Sequence, residues 1–266
     1  MAFSRSIAQS DPPRSPREVQ PTMYDLPSED PEEPGLPDEF HLLQPQLLSL
    51  TFQPPTYPAD QIFTASDLNL YYDLRRTWYK RPDWFAVVGI PRLYEERHLR
   101  LSYVMWQEGV RPIVAVELLS AGTQAEDLGQ TSRTPEQPPT KWQVYEQILG
   151  IPYYVVFDRY SDRLRAFQLV SDRYQELNLS EPRIWMPTLN LGLGLWEGEY
   201  QGIHRPWLRW YDAKQNWVST EVEAERQKAE QAEHRAEQER QRAEQEHQRA
   251  ERLAARLKAL GIDPDA

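Results

Sequence analysis

The stretch that most constrains this chain is Ile113 to Thr123, IVAVELLSAGT, an almost unbroken apolar run with one carboxylate, Glu117, in its middle. An apolar run of this length, bounded by Pro112 and Gly122, reads as a buried strand. An ionised carboxylate buried without a partner costs several kcal/mol, so Glu117 calls for a counter-charge, either a metal ion or a basic side chain. Two residues offer to complete such a site. Asp83 stands in RPDWFAVVGI, directly before a second apolar run, and Lys141 stands in PPTKWQVYEQIL, at a helix start.

Composition limits what surrounds this stretch. With 266 residues and only 39% hydrophobic side chains, one core is expected to be flanked by segments that do not fold into it. There is no cysteine, which excludes disulfides and thiolate zinc sites, and the five histidines stand singly rather than at metal-ligand spacing. No secretory signal pattern opens the chain and no apolar run approaches the length of a membrane span, so a cytoplasmic protein is the expectation. The net charge of -11 is unevenly spread: residues 1–60 hold ten acids and three bases, 61–218 nineteen and eighteen, and 219–266 twelve and nine. The middle segment is therefore nearly neutral and can offer bases to an acidic partner.

Four segments follow. Residues 1–60 read as a disordered, acidic, proline-rich leader, within which FHLLQPQLLSLTF could dock on the body as an extended or helical piece. Residues 61–218 read as the folded domain. Its strands are expected at Trp84 to Ile90, Ile113 to Leu119 and Tyr153 to Asp158, with a hairpin turning at Ser171 and Asp172 and further β-structure from Arg183 onward. A capping box, Thr140 with Gln143, opens a helix whose apolar face is Trp142, Tyr145, Ile148 and Leu149 and which Gly150 and Pro152 end. Residues 219–260 read as one long charged helix, and 261–266 as a tail. In that helix Val222, Ala229, Ala236, Ala243, Ala250 and Leu257 recur every seven residues. It is either a solvated single helix or a weak coiled coil, with pairing expected to start near Leu253, Leu257 and Leu260. The fold class is α/β, a mixed sheet with flanking helices.

Two carboxylates and a lysine are the minimum equipment for metal-dependent phosphodiester hydrolysis. Carboxylate oxygens suit Mg²⁺, a hard ion that keeps most of its waters, while an ammonium steadies charge on a phosphate oxygen. By spacing alone the pattern is unspecific. Ser120, Thr123 and Asp127 read as loop and cap residues, Tyr145 as core, and the tryptophans as packing, with one or two free to stack on bases.

The segments RPDWFAVV, PIVAVELLSAGTQAEDLG and KWQVYEQILGIPYYVVFD resemble the bacterial Uma-type restriction endonuclease family, within the PD-(D/E)XK nuclease superfamily, over roughly residues 61–205. The resemblance implies a restriction-endonuclease-like fold, DNA as partner, Mg²⁺ or Mn²⁺ as cofactor, Asp83 and Glu117 as metal ligands together with the Leu118 carbonyl, and Lys141 as the catalytic lysine. Leu119 stands where the superfamily usually has its lysine, so the amine would come from the helix. A proline-rich insertion at about 131–140 is a second departure. The other reading is a catalytically silent nuclease-fold scaffold acting through its acidic leader and helical tail, including self-association through the C-terminal helix.

Overall fold

A computed structural model describes residues 38–120, 124–134 and 136–259. Its centre is a six-stranded sheet in the order β1 (Ile62–Ala65), β4 (Trp84–Val88), β6 (Val114–Leu118), β7 (Tyr153–Asp158), β8 (Arg163–Val170) and β9 (Arg173–Glu176). The β6–β7 pair is parallel and its neighbours are antiparallel, so the sheet is mixed, as expected. Strands β4 and β6 are buried along their whole length, which is why their apolar runs do not alternate.

Alternation returns in which core each residue joins. Trp84, Ala86, Val116 and Leu118 enter one apolar cluster, while Phe85, Val87, Ala115 and Leu119 enter another on the opposite face. The first face is covered by α1 (Glu39–Thr51) and by a three-stranded sheet of β10 (Arg183–Met186), β11 (Leu191–Tyr200) and β12 (Ile203–Tyr211). The second face carries a small sheet of β3 (Trp78–Lys80), β2 (Leu70–Asp73) and β5 (Tyr103–Val104), beside the short helix α2 (Met105–Glu108). Also on that side lie α3 (Gln124–Asp127) and α4, which runs as Lys141–Gln143 and continues as a π turn over Val144–Ile148. The tryptophans read as packing include Trp84, Trp207 and Trp210, which are fully buried.

Residues 38–60, placed with the leader by their composition, belong to the body. Asp38 caps α1 by accepting from the His41 amide at 3.1 Å, and Phe40, Leu47, Leu48 and Phe52 are buried. Pro45 lies inside the helix without ending it. An interior proline costs about 3 kcal/mol, whereas burying four large apolar side chains contributes about 1.5–3 kcal/mol each, so packing outweighs the break. The part of the leader before residue 38 lies outside the described residues, as do Thr123, Leu260 and the tail 261–266.

Two buried polar side chains fasten α1. Gln44 donates from Nε2 to the Leu208 carbonyl and accepts the Leu208 amide on Oε1, both at 2.8 Å, completing the outer edge of β12. His41 approaches Asp38 through Nδ1 at 2.9 Å and the Leu118 carbonyl through Nε2 at 3.0 Å. Both partners are acceptors, so both ring nitrogens donate and the ring is an imidazolium. Burial opposes that charge, but Asp38 and the nearby Asp83 hold the His41 pKa above its ordinary value. Burial likewise opposes ionised Asp38, yet His41 keeps its carboxyl below the usual range.

The long helix α5 (Glu221–Ala259) leaves the body from a second capping box. Thr220 Oγ1 accepts the Glu223 amide at 3.3 Å and Glu223 Oε2 accepts the Thr220 amide at 2.8 Å, while Arg209 pairs with the same Glu223 carboxylate. Among the described residues no helix is long and apolar enough to cross a membrane.

Two outcomes follow from the docking of α1. Gln44→Ala leaves the Leu208 amide and carbonyl buried without partners and should lower stability by about 2–4 kcal/mol in urea unfolding. The His41–Asp38 pair should contribute fully between about pH 4 and 6.5 and fade as pH rises through the elevated His41 pKa. The gap in melting temperature between the native chain and His41→Gln should therefore narrow above about pH 6.5, and a gap constant from pH 5 to 9 would contradict the pair.

Candidate active site

Strand pairing brings the two predicted acids together. Trp84 is opposite Val116 and Phe85 opposite Ala115 in the antiparallel β4–β6 pair, and one further step of that register sets Asp83 opposite Glu117. Both lie toward the α4 face of the sheet. Asp83 Oδ2 accepts the Leu118 amide at 2.6 Å, which ties the residue before β4 to the end of β6.

Lys141 reaches the same point from the first residue of α4. The capping box there is the one expected: Thr140 accepts the Gln143 amide at 3.2 Å, and Gln143 Oε1 accepts the Thr140 amide at 3.0 Å. A cation in the first helical turn meets the positive end of the macrodipole, a cost of some tenths of a kcal/mol. Here Lys141 Nζ donates to Glu117 Oε2 at 2.7 Å and sits 3.3 Å from Asp127 Oδ1, which outweighs that cost. The three residues singled out in the sequence thus occupy one locality.

Two others join them that were read as core and cap. Tyr145 donates from its hydroxyl to Glu117 Oε1 at 2.8 Å. It does so from the π turn, where the Leu149 amide donates to the Val144 carbonyl at 2.8 Å and the extra residue widens the helix. An apolar helical period marks Tyr145 as an inward residue but says nothing of what its hydroxyl meets. Asp127 is 1% exposed at the end of α3, a helix held from outside by Lys80 and Arg133, both paired with Glu126. The available signal was AEDLG lying shortly before the lysine helix, and only its burial separates Asp127 from an ordinary cap.

Glu117 is 0% exposed. Burial pushes its carboxyl well above the ordinary value, Lys141 opposes this, and Asp83 and Asp127 add to it. Burial acts against the Lys141 ammonium, but Glu117, Asp127 and Asp83 together hold its pKa well above the ordinary value. Burial, followed by the Glu117 charge, raises the Tyr145 phenol. Three carboxyl groups therefore share the Lys141 ammonium in a nearly dry setting, and Asp83 also lies near the His41 imidazolium.

The donor set is oxygen alone, with two carboxylates on adjacent strands. Among the described residues no three Asp, Glu or His side chains are arranged to enclose a metal. As the side chains stand, the Glu117 oxygens are held by Lys141 and Tyr145 and the Leu118 carbonyl by His41, so a hard, oxygen-loving ion such as Mg²⁺ would have to displace some of these donors to be held by Asp83, Glu117 and the Leu118 carbonyl.

A crystal structure of a putative nuclease belonging to DUF820 from Anabaena variabilis matches with 13% identity over 55% of this chain and 70% of that one, at a TM-score of 0.36, too distant to carry an argument. No curated protein matches the chain. The family model described as Uma2, putative restriction endonuclease, matches residues 14–200, and the chain belongs to that family.

Proposed function

We propose that this protein is a Mg²⁺-dependent endonuclease that hydrolyses DNA phosphodiester bonds through Asp83, Glu117 and Lys141. The observation that carries the reading is Glu117: a fully buried carboxylate held at one oxygen by Lys141 and at the other by Tyr145, with Asp83 across the strand pair. A structural ion pair does not require a second and a third acid around a single amine, and their presence supports a seat for a divalent cation. Membership in the Uma2 family supports the nuclease class and DNA as substrate.

When bound, the divalent ion supplies charge neutralisation at the scissile phosphate and a water more acidic than bulk. The chain's own groups do the rest. Lys141, held by Glu117 and beside Asp127, is placed to serve as a hydrogen-bond donor and fixed positive charge. Tyr145 pins one Glu117 oxygen and so limits the rotation of the carboxylate. The Leu118 amide fixes Asp83 in the same way. A groove lined by Arg76, Trp78, Arg133, Gln143 and Gln147 runs along α4 and offers cations and an aromatic ring to a polyanion.

Purified protein should nick supercoiled plasmid with Mg²⁺ or Mn²⁺ and not with chelator. Asp83→Ala, Glu117→Gln and Lys141→Met should each lower the rate by about 100-fold or more. Tyr145→Phe removes one hydrogen bond to a charged group and should cost about 10- to 100-fold. Equal cleavage by the native chain and all four variants would refute the assignment.

A further inference from the structure

The helix α5 carries an ordered charge pattern that the catalytic reading leaves unused. Ala229, Ala236, Ala243 and Ala250 form one column seven residues apart. Each is preceded by a base, Lys228, Arg235, Arg242 and Arg249, and followed by an acid, Glu230, Glu237, Glu244 and Glu251. Successive residues turn by about 100°, so the alanine column has a basic column along one flank and an acidic column along the other. The far side is mostly glutamine, with Gln231, Gln238 and Gln245 followed by Arg252 and, beside them, Gln227, His234, Gln241 and Gln248.

Some of these charges brace the helix itself, since Glu223 and Arg226, Glu225 and Lys228, Glu237 and Arg240, Glu239 and Arg242, and Glu246 and Arg249 stand three residues apart, although no Glu stands four residues before a Lys or Arg. The ion pairs within the helix use Arg226, Arg240 and His247. Lys228, Arg235, Arg242 and Arg249 make no ion pair among the described residues, and the alanine column is exposed throughout. A line of alanines alone would identify nothing; the flanking columns specify what fits against it.

We infer that α5 pairs with α5 of a second copy of this chain, parallel and in register, with the alanine column at the seam. In a parallel pair related by a twofold axis along the seam, the basic flank of one helix faces the acidic flank of the other, on both sides at once. Nearer the seam, Glu239 of one copy faces Arg240 of the other. An antiparallel pair would instead set basic flank against basic flank and acidic against acidic. A strict seven-residue repeat also keeps the seam in contact along a left-handed supercoil. Each charge pair contributes little alone and alanine buries little area, so the dimer is a weak one, dependent on concentration and salt. Because Thr220, Glu223 and Arg209 fix α5 to the body at its first turn, parallel pairing places both bodies at the same end. This inference does not depend on the nuclease reading.

The absence of cysteine makes the test direct. Full-length chains carrying Ala229→Cys, Ala243→Cys or Gln238→Cys are oxidised and their disulfide-linked fraction measured, alongside sedimentation of the native protein. The first two should each link to themselves at least several-fold faster than Gln238→Cys, and the native mass should approach twice 31.3 kDa as concentration rises. Changing the four bases to Glu should abolish self-association, and mixing that variant with one whose four flanking acids are Lys should restore it. Three results would overturn the inference: a mass of 31.3 kDa at every concentration, equal linking of Gln238→Cys, or linking only when Ala229→Cys is mixed with Ala250→Cys. None of these results bears on plasmid nicking.

Discussion

Everything about this fold has to accommodate a carboxylate at the centre of a buried strand. Glu117 sits in β6 between β4 and β7, in the interior of a six-stranded sheet, where water cannot stabilise its charge. The surroundings answer in kind. Lys141 and Tyr145 take its two oxygens, α4 is capped and widened so that both side chains reach it, and α3 is anchored through Glu126 so that Asp127 can face the same amine. A chain selected for stability alone would place an apolar residue at 117, since replacing a buried ion pair by well-packed apolar groups is often neutral or stabilising.

The same surroundings divide the labour between sheet and helix. Glu117 belongs to β6 and Asp83 to the residue before β4, where strand register sets them opposite, and the amine belongs to a helix start, where the capping box fixes its direction. Leu119, which occupies the position two residues past the glutamate, points into the apolar cluster beside Val144 and Tyr145. With an apolar residue there, the positive charge has to come from α4. Lys141 supplies it, and Tyr145, one turn further along, reaches the same carboxylate.

Much of this could be read from the residues. The capping box at Thr140, the unalternated runs of β4, β6 and β7, and the charge isolated at Glu117 each have a local cause and took the form expected, but the helix between Thr140 and Gly150 turns to a π form after Gln143 and leaves Ile148, expected on its apolar face, exposed. What escaped was non-local. The fragment EFHLLQPQLLSLT could be read as a piece able to dock, extended or helical, but its interior proline left the form open; the tryptophans of β4 and β12 against which it packs, and which decide it, lie far along the chain. Asp127 resembled a cap because nothing nearby in the chain shows that it is buried. The hydroxyl of Tyr145 was hidden for the same reason, since an apolar period reports where a ring points and not which atom waits at its tip.

The most direct measurement of the central claim is the position of a bound divalent ion. Crystals grown with Mn²⁺ and measured at its absorption edge should show anomalous density between the carboxylates of Asp83 and Glu117 and beside the Leu118 carbonyl, absent from crystals of Asp83→Ala. Protein that nicks plasmid with Mn²⁺ yet binds the ion elsewhere, or not at all at these residues, would contradict the account.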